Sequence, residues 1–136
     1  MRRAVAADAA VLQALAVEFA TSFRVQPDTV AKALPALLER RDACVLVAEE
    51  EVVVGYLLGF VHATFYANGP VGWVEELMVA ASCRRRGIGG ELMHAFEEWT
   101  SAQGGKLVGL ATRRAAPFYR ALGYDESAAY FRKVLC

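Results

Sequence analysis

The chain has 136 residues, 56% of them hydrophobic, enough for one domain spanning residues 1–136 with its own core and too many for a disordered segment. Lysine plus arginine and aspartate plus glutamate number 15 each, a formal net charge of zero, so no global field draws the protein to nucleic acid or to an anionic membrane. Cys44, Cys83 and Cys136 follow no metal-ligand spacing, and their odd number leaves one unpaired in any disulfide scheme, which points to reduced thiols in a cytoplasm.

Arg3 to Ala6 can begin a short strand. Asp8 then offers an N-cap for a helix whose Val11, Leu12, Leu15 and Phe19 recur at helical spacing. Asp8 also interrupts the alanine-rich start, which lacks the long apolar centre of a signal peptide, so no export signal is read. Pro27, Asp28 and Thr29 form a second start signal, and Val30, Leu34, Leu37 and Leu38 make an apolar stripe ending near Arg40 and Arg41, with Pro35 implying a kink.

Ala43 to Ala48 are β-prone, Glu49 to Glu51 make a polar turn, and a long strand follows from Val52 to about Tyr66. Gly55, Gly59 and His62 interrupt this apolar run, which falls short of the ~18 uninterrupted apolar residues of a membrane helix. Asn68-Gly69-Pro70 is a turn signal, so Gly72 to Ala80 should return antiparallel. Gly87 to Gln103 reads as a helix, because Ile88, Leu92, Phe96 and Trp99 share one face, and Gly104-Gly105 stops it. Lys106 to Ala111 form a short strand, Pro117 suits a first helical turn continued by Phe118 to Leu122, and Ala129 to Leu135 can form a last strand. No internal repeat, low-complexity tract or linker interrupts this order. The pattern predicts an α/β chain, a mixed sheet with helices packed on it.

The chemistry concentrates between Leu77 and Leu92, where a strand runs into a basic, glycine-rich turn and then a helix. A helix N-terminus presents unpaired N–H groups and partial positive charge, which suits phosphate. Gly87, Gly89 and Gly90 let a diphosphate approach the backbone around Ile88, while Arg84, Arg85 and Arg86 add cationic donors. A dinucleotide fingerprint would need glycine where Leu92 stands, and a Walker-type loop would need a Gly-Lys-Ser/Thr ending. A solvated arginine face over a tight turn is the plainer alternative.

The segment resembles the coenzyme A loop of the GNAT (GCN5-related N-acetyltransferase) superfamily, Arg/Gln-x-x-Gly-x-Gly/Ala, met here by Arg84, Gly87 and Gly89. Ala115-Ala116-Pro117-Phe118-Tyr119 followed by Gly123-Tyr124 resembles that family's second signature. The resemblance implies a central, mostly antiparallel twisted sheet flanked by helices, acetyl-CoA as cosubstrate, no metal, and transfer of acetyl to an amine in a ternary complex.

It further implies that backbone groups of Leu77, Met78 and Val79 pair with the pantetheine arm, and that Tyr119 beside Phe118 protonates the departing thiolate. A phenol keeps its proton at neutral pH and so is chemically able to act in this way. An asparagine common in the family is replaced by Thr112, which offers one hydroxyl in place of an amide.

An amine acceptor must lose a proton before it attacks. Glu75 and Glu76 are the candidate bases, and strand alternation lets only one of them face a given cleft. The resemblance favours Glu75, with water as a relay, and Glu76 reads better as an edge carboxylate paired with an arginine. His62 and His94 read as structural or surface residues, and Cys83 lacks a local histidine to generate a thiolate nucleophile. Trp73, Phe65, Tyr66 and Phe23 could line an apolar acceptor pocket.

The acceptor is left open among small-molecule, peptide and protein amines, with neither nucleic acid nor membrane as partner. A homodimer is compatible with the apolar content. A catalytically silent acetyl-CoA sensor is the rival reading.

Overall fold

A computed structural model describes all 136 residues. Five strands, Arg2–Arg3 (β1), Ala43–Glu49 (β2), Val53–His62 (β3), Val71–Val79 (β4) and Val108–Leu110 (β5), form one sheet in the order β1-β2-β3-β4-β5. Neighbours run antiparallel except β4 and β5, which are parallel because helix α3 (Ile88–Ala102) crosses over between them. The sheet is mixed, as the order of predicted strands and helices implies, and it is open, with β1 and β5 at its edges.

Two helices, α1 (Ala9–Phe19) and α2 (Thr29–Glu39), cover one face, and α3 covers the other. Leu12, Leu15 and Leu34 pack with Val45, Val47, Tyr56 and Met78 on the first side. Leu92, Met93 and Phe96 pack with Cys44, Leu57 and Val74 on the second. Since Leu57, Leu92 and Phe96 are fully buried, truncating any of them to alanine would cost about 2–5 kcal/mol. The short helix α4 (Ala116–Ala121) follows β5 with Pro117 in its first turn. Cys44, Cys83 and Cys136 are free, and no helix is long and apolar enough to cross a membrane.

Four sequence expectations change. The opening strand is Arg2–Arg3, followed by a 3-10 turn at Ala6–Asp8. Asp8 holds the N-cap position of α1 without bonding its N–H groups. Its carboxylate turns back to accept from Val5 N–H at 2.8 Å and from both terminal nitrogens of Arg2, at 2.9 and 3.0 Å. Two charge-assisted bonds outcompete one cap, and Arg2 accordingly lowers the Asp8 pKa.

The long strand ends at His62, and Phe65 and Tyr66 lie exposed in the following turn. The expected last strand over Ala129–Leu135 is absent. That segment joins no strand ladder, leaving Phe131 and Leu135 exposed and β5 as the sheet edge. A β-prone pattern supplies no ladder partner by itself.

Candidate functional site

Up to Val74, β4 is paired on both sides, with Gly59 of β3 and with Leu110 of β5. There the register slips: Gly59 faces Val74 and Leu58 faces Glu76, so Glu75 is an extra residue, a bulge. Past the bulge β5 ends and the chain leaves for α4, so β4 keeps one free edge.

The direction of that edge follows from two hydrogen bonds. Ala80 N–H donates to the Val54 carbonyl of β3 at 2.7 Å, whereas the Val79 carbonyl accepts from Arg84 Nε at 3.1 Å. Val79 therefore points away from β3. Alternation in an antiparallel ladder puts the backbone groups of Leu77 on the same open edge.

Beyond β4 the loop turns into α3 with Arg85 at φ 65° and Gly87 at φ 80°, a left-handed conformation that suits glycine. Gly87 carries no side-chain cap, and the first intrahelical bond is Glu91 N–H to the Gly87 carbonyl at 3.0 Å. The N–H groups of Ile88, Gly89 and Gly90 are thus left without helical acceptors, at the positive end of the macrodipole. A Cβ on Gly89 would lie 3.1 Å from the Phe118 ring. That glycine therefore lets α4 seat against the start of α3.

The turn into α4 is built by Thr112, whose Oγ1 accepts from Ala115 N–H at 3.1 Å. Below it Tyr124 donates to Glu97 Oε2 at 2.6 Å, and Tyr124 N–H bonds the Tyr119 carbonyl at 3.0 Å, tying the end of α4 to α3. Tyr119 is wedged edge-on between Phe118 and Tyr124, with ring centroids 4.9 and 6.0 Å away. Burial alone raises its pKa, so its hydroxyl holds a proton through the neutral range.

Two clefts meet here. The narrower, about 590 Å³, runs along Leu77 to Val79, Arg84, Arg85 and Gly87 to Gly90, with Phe118 as its far wall. The wider, about 1170 Å³, is mostly apolar and opens between β4, the ends of α1 and α2, and the β5–α4 loop. Tyr119 lines both.

Of the residues expected at the coenzyme, all but two line the narrower cleft. Arg86 turns away to Glu50, its Nη2 2.5 Å from Oε2, and Thr112 lines the wider cleft, its hydroxyl already engaged in the turn. Glu75 and Glu76 both border the wider cleft, as do Val74, Leu77 and Met78 beside them, so its lining does not single out one glutamate. The bulge breaks the alternation between them.

Glu76 is paired with a tyrosine, not an arginine. It accepts from Tyr56 Oη at 2.6 Å, and the Tyr56 pKa rises through burial and then through that carboxylate's charge. Of the four aromatics expected at the acceptor side, Phe23 alone lines the wider cleft, joined by Phe19. His62 and His94 line neither cleft, and Cys83 lines the narrower. Sequence reasoning missed Tyr56, Arg113, Arg114 and Arg132, all on the wider cleft. The Arg113-Arg114 pair beside the second signature was the available signal.

The family model described as acetyltransferase (GNAT) matches residues 10–124. A Bacillus subtilis (strain 168) protein named uncharacterized N-acetyltransferase YhfO is 29% identical, across 96% of this chain and 92% of that one. Glucosamine-6-phosphate N-acetyltransferase from Arabidopsis thaliana superposes with a TM-score of 0.87 at 17% identity, covering 99% of this chain and 97% of that one. The aminoglycoside N-acetyltransferase AAC(6')-Iy in complex with CoA does so with a TM-score of 0.85 at 18% identity, covering 99% and 93%. At such identities the structural likeness shows the shared fold.

Proposed function

Because the chain belongs to the acetyltransferase (GNAT) family and its relatives are named N-acetyltransferases, we propose that it transfers acetyl from acetyl-CoA directly to a primary amine, with both substrates bound at once. The observation that carries this reading is the position of Tyr119 where two clefts meet on the free edge of β4.

The narrower cleft suits the coenzyme. Its three helix-start N–H groups and the guanidinium groups of Arg84 and Arg85 fit a pyrophosphate, and the backbone groups of Leu77 with the Val79 N–H, on the open edge of β4, fit an amide-bearing arm. The coenzyme supplies an acetyl group activated as a thioester. An N–H on the β4 edge aimed at the carbonyl oxygen would contribute ~3 kcal/mol as charge develops there.

Tyr119, protonated by virtue of its burial, donates its Oη proton to the departing thiolate. Glu75, exposed on the bulge and bordering the wider cleft, accepts the amine's proton through a water. Glu76 already holds the Tyr56 hydroxyl and serves to shape the floor. Holding both reactants side by side supplies much of the rate. The three free thiols support a cytoplasmic setting.

The test pairs thermal unfolding with thiol release. Acetyl-CoA and CoA should raise Tm with the logarithm of their concentration above Kd, far more than ATP or NAD do, and amines should then release free CoA. Equal stabilisation by all four ligands refutes the coenzyme site. Stabilisation without thiol release from any amine refutes turnover and identifies a binding module.

A further inference from the structure

Acetyl transfer leaves some charges of the wider cleft unused. Glu75 and Glu76 stand on its β4 floor, whereas Arg113 and Arg114 come from the β5–α4 loop and Arg132 from the C-terminal segment. Arg2, Arg40, Arg86 and Arg120 each have a carboxylate partner, but Arg113, Arg114 and Arg132 have none. Glu18, which lines the same cleft, is ion-paired with none of the three.

Arg132 is nevertheless held in place. Its Nη2 donates to Ser22 Oγ at 3.1 Å, and its guanidinium carbon lies 5.9 Å from the centroid of the Phe23 ring. Ser22 and Phe23 lie between α1 and α2 and line the cleft themselves. One N–H and one face are engaged, so the remaining donors of the fork stay free. The Thr112–Ala115 hydrogen bond fixes the turn that carries Arg113 and Arg114. The same cleft also carries Glu18, Glu75, Glu76 and Arg84, but the guanidinium donors of Arg113, Arg114 and Arg132 that no carboxylate engages are what an oxyanion would take up through charge-assisted hydrogen bonds.

We propose that the acceptor is an amine bearing an anionic group, a carboxylate or a phosphate, at the far end of an apolar body. Its amine meets Glu75, its body lies along Phe19, Phe23 and Leu58, and its anion is received by Arg113, Arg114 and Arg132. This assignment rests on the acetyltransferase reading and names the substrate class of the same site.

The experiment uses matched acceptors with acetyl-CoA saturating: hexylamine, 6-aminohexanoate and 6-aminohexyl phosphate. The anionic members should show kcat/KM higher by about 10-fold or more, and the better of the two identifies the oxyanion. Arg132→Gln should raise KM for them about 10-fold with kcat and the hexylamine KM unchanged, and Arg132→Lys should recover part of the loss. Arg113→Gln and Arg114→Gln should act in the same direction. All four side chains introduced are at exposed positions, so unchanged Tm values are expected.

Equal or better turnover of hexylamine, or an Arg132→Gln enzyme with wild-type KM on the anionic amines, overturns the proposal while leaving acetyl transfer intact. Calorimetric titration of 6-aminohexanoate and hexylamine into the CoA-saturated protein provides a readout independent of turnover. Tighter binding of 6-aminohexanoate in a protein that acetylates no amine would retain the anion subsite and refute the transfer reaction alone. Equal binding of the two would overturn the subsite.

Discussion

Replacing Tyr119 with phenylalanine removes one oxygen and nothing else that the fold uses. The ring contacts to Phe118 and Tyr124 and the backbone bonds Tyr119 N–H to Ala115 and Tyr124 N–H to Tyr119 survive. Tyr119 Oη makes no hydrogen bond within the chain, unlike Tyr56 Oη and Tyr124 Oη, so none is lost with the hydroxyl and stability should change by less than about 0.5 kcal/mol. If the hydroxyl is the acid for the departing thiolate, kcat should fall ~10²- to 10⁴-fold, about 2.7–5.4 kcal/mol of activation free energy. Acetyl-CoA affinity, read by calorimetry, should stay constant. In the wild type the acid form is lost only above the ordinary phenol value of 10.0, because the folded pKa lies higher still. The kcat profile should therefore show no Tyr119 limb between neutrality and about pH 10. Continuous thiol release under conditions where chemistry limits turnover is the assay. A Tyr119→Phe enzyme with undiminished kcat refutes the acid role, and one that loses Tm and acetyl-CoA affinity together shows that the tyrosine serves packing.

Glu75→Gln should lower kcat/KM at neutral pH by about 10²-fold and regain activity as pH approaches the amine's own pKa near ~10, where no base is needed. Glu76→Gln keeps an acceptor for Tyr56 Oη and should cost less; the reverse order in steady-state kinetics refutes the assignment. Arg84→Gln should weaken CoA binding about 10-fold, and Arg86→Gln less than ~2-fold because Arg86 is already paired with Glu50; equal effects by calorimetry would contradict this geometry. Thr100 Oγ1 is buried with no hydrogen-bond partner, so the near-isosteric Thr100→Val should stabilise the fold by about 1 kcal/mol. That raises Tm by ~3–5 °C, and a lower Tm would show a satisfied hydroxyl.

Burial raises the Cys44 thiol from 9.0 to about 11 and, with the neighbouring carboxylates Glu76 and Glu97, raises Tyr56 and Tyr124 as well. The unfolded chain ionises these groups first. Their contribution is therefore complete below about pH 9 and lost as pH rises through the folded values, so Tm should fall on the alkaline side. A flat Tm between pH 9 and 11 would refute the burial of these groups.

Where side chains answer to local rules, the linear chain was a sufficient guide. Ile88, Leu92, Phe96 and Trp99 at helical spacing define the face that α3 buries, and Asn68-Gly69-Pro70 precedes the return of β4 against β3. The strand, basic glycine turn and helix from Leu77 to Leu92 carry their own chemistry, because a helix start needs no distant partner to leave N–H groups unpaired. Even Gly87 is legible, as a left-handed turn favours glycine wherever it occurs.

Relations between distant segments were decided only in three dimensions. The bulge at Glu75 depends on how β3 and β4 align along their whole length, and it interrupts the alternation between two neighbouring glutamates. Glu76 finds Tyr56, Arg86 finds Glu50, and Arg132 reaches Ser22 across most of the chain. Ala129–Leu135 reads as strand yet joins no strand ladder. Helix turns and tight turns satisfy their hydrogen bonds within a few residues, so local sequence specifies them. A ladder, a bulge or an ion pair takes its partner from elsewhere in the chain, and tertiary packing alone decides which partner arrives.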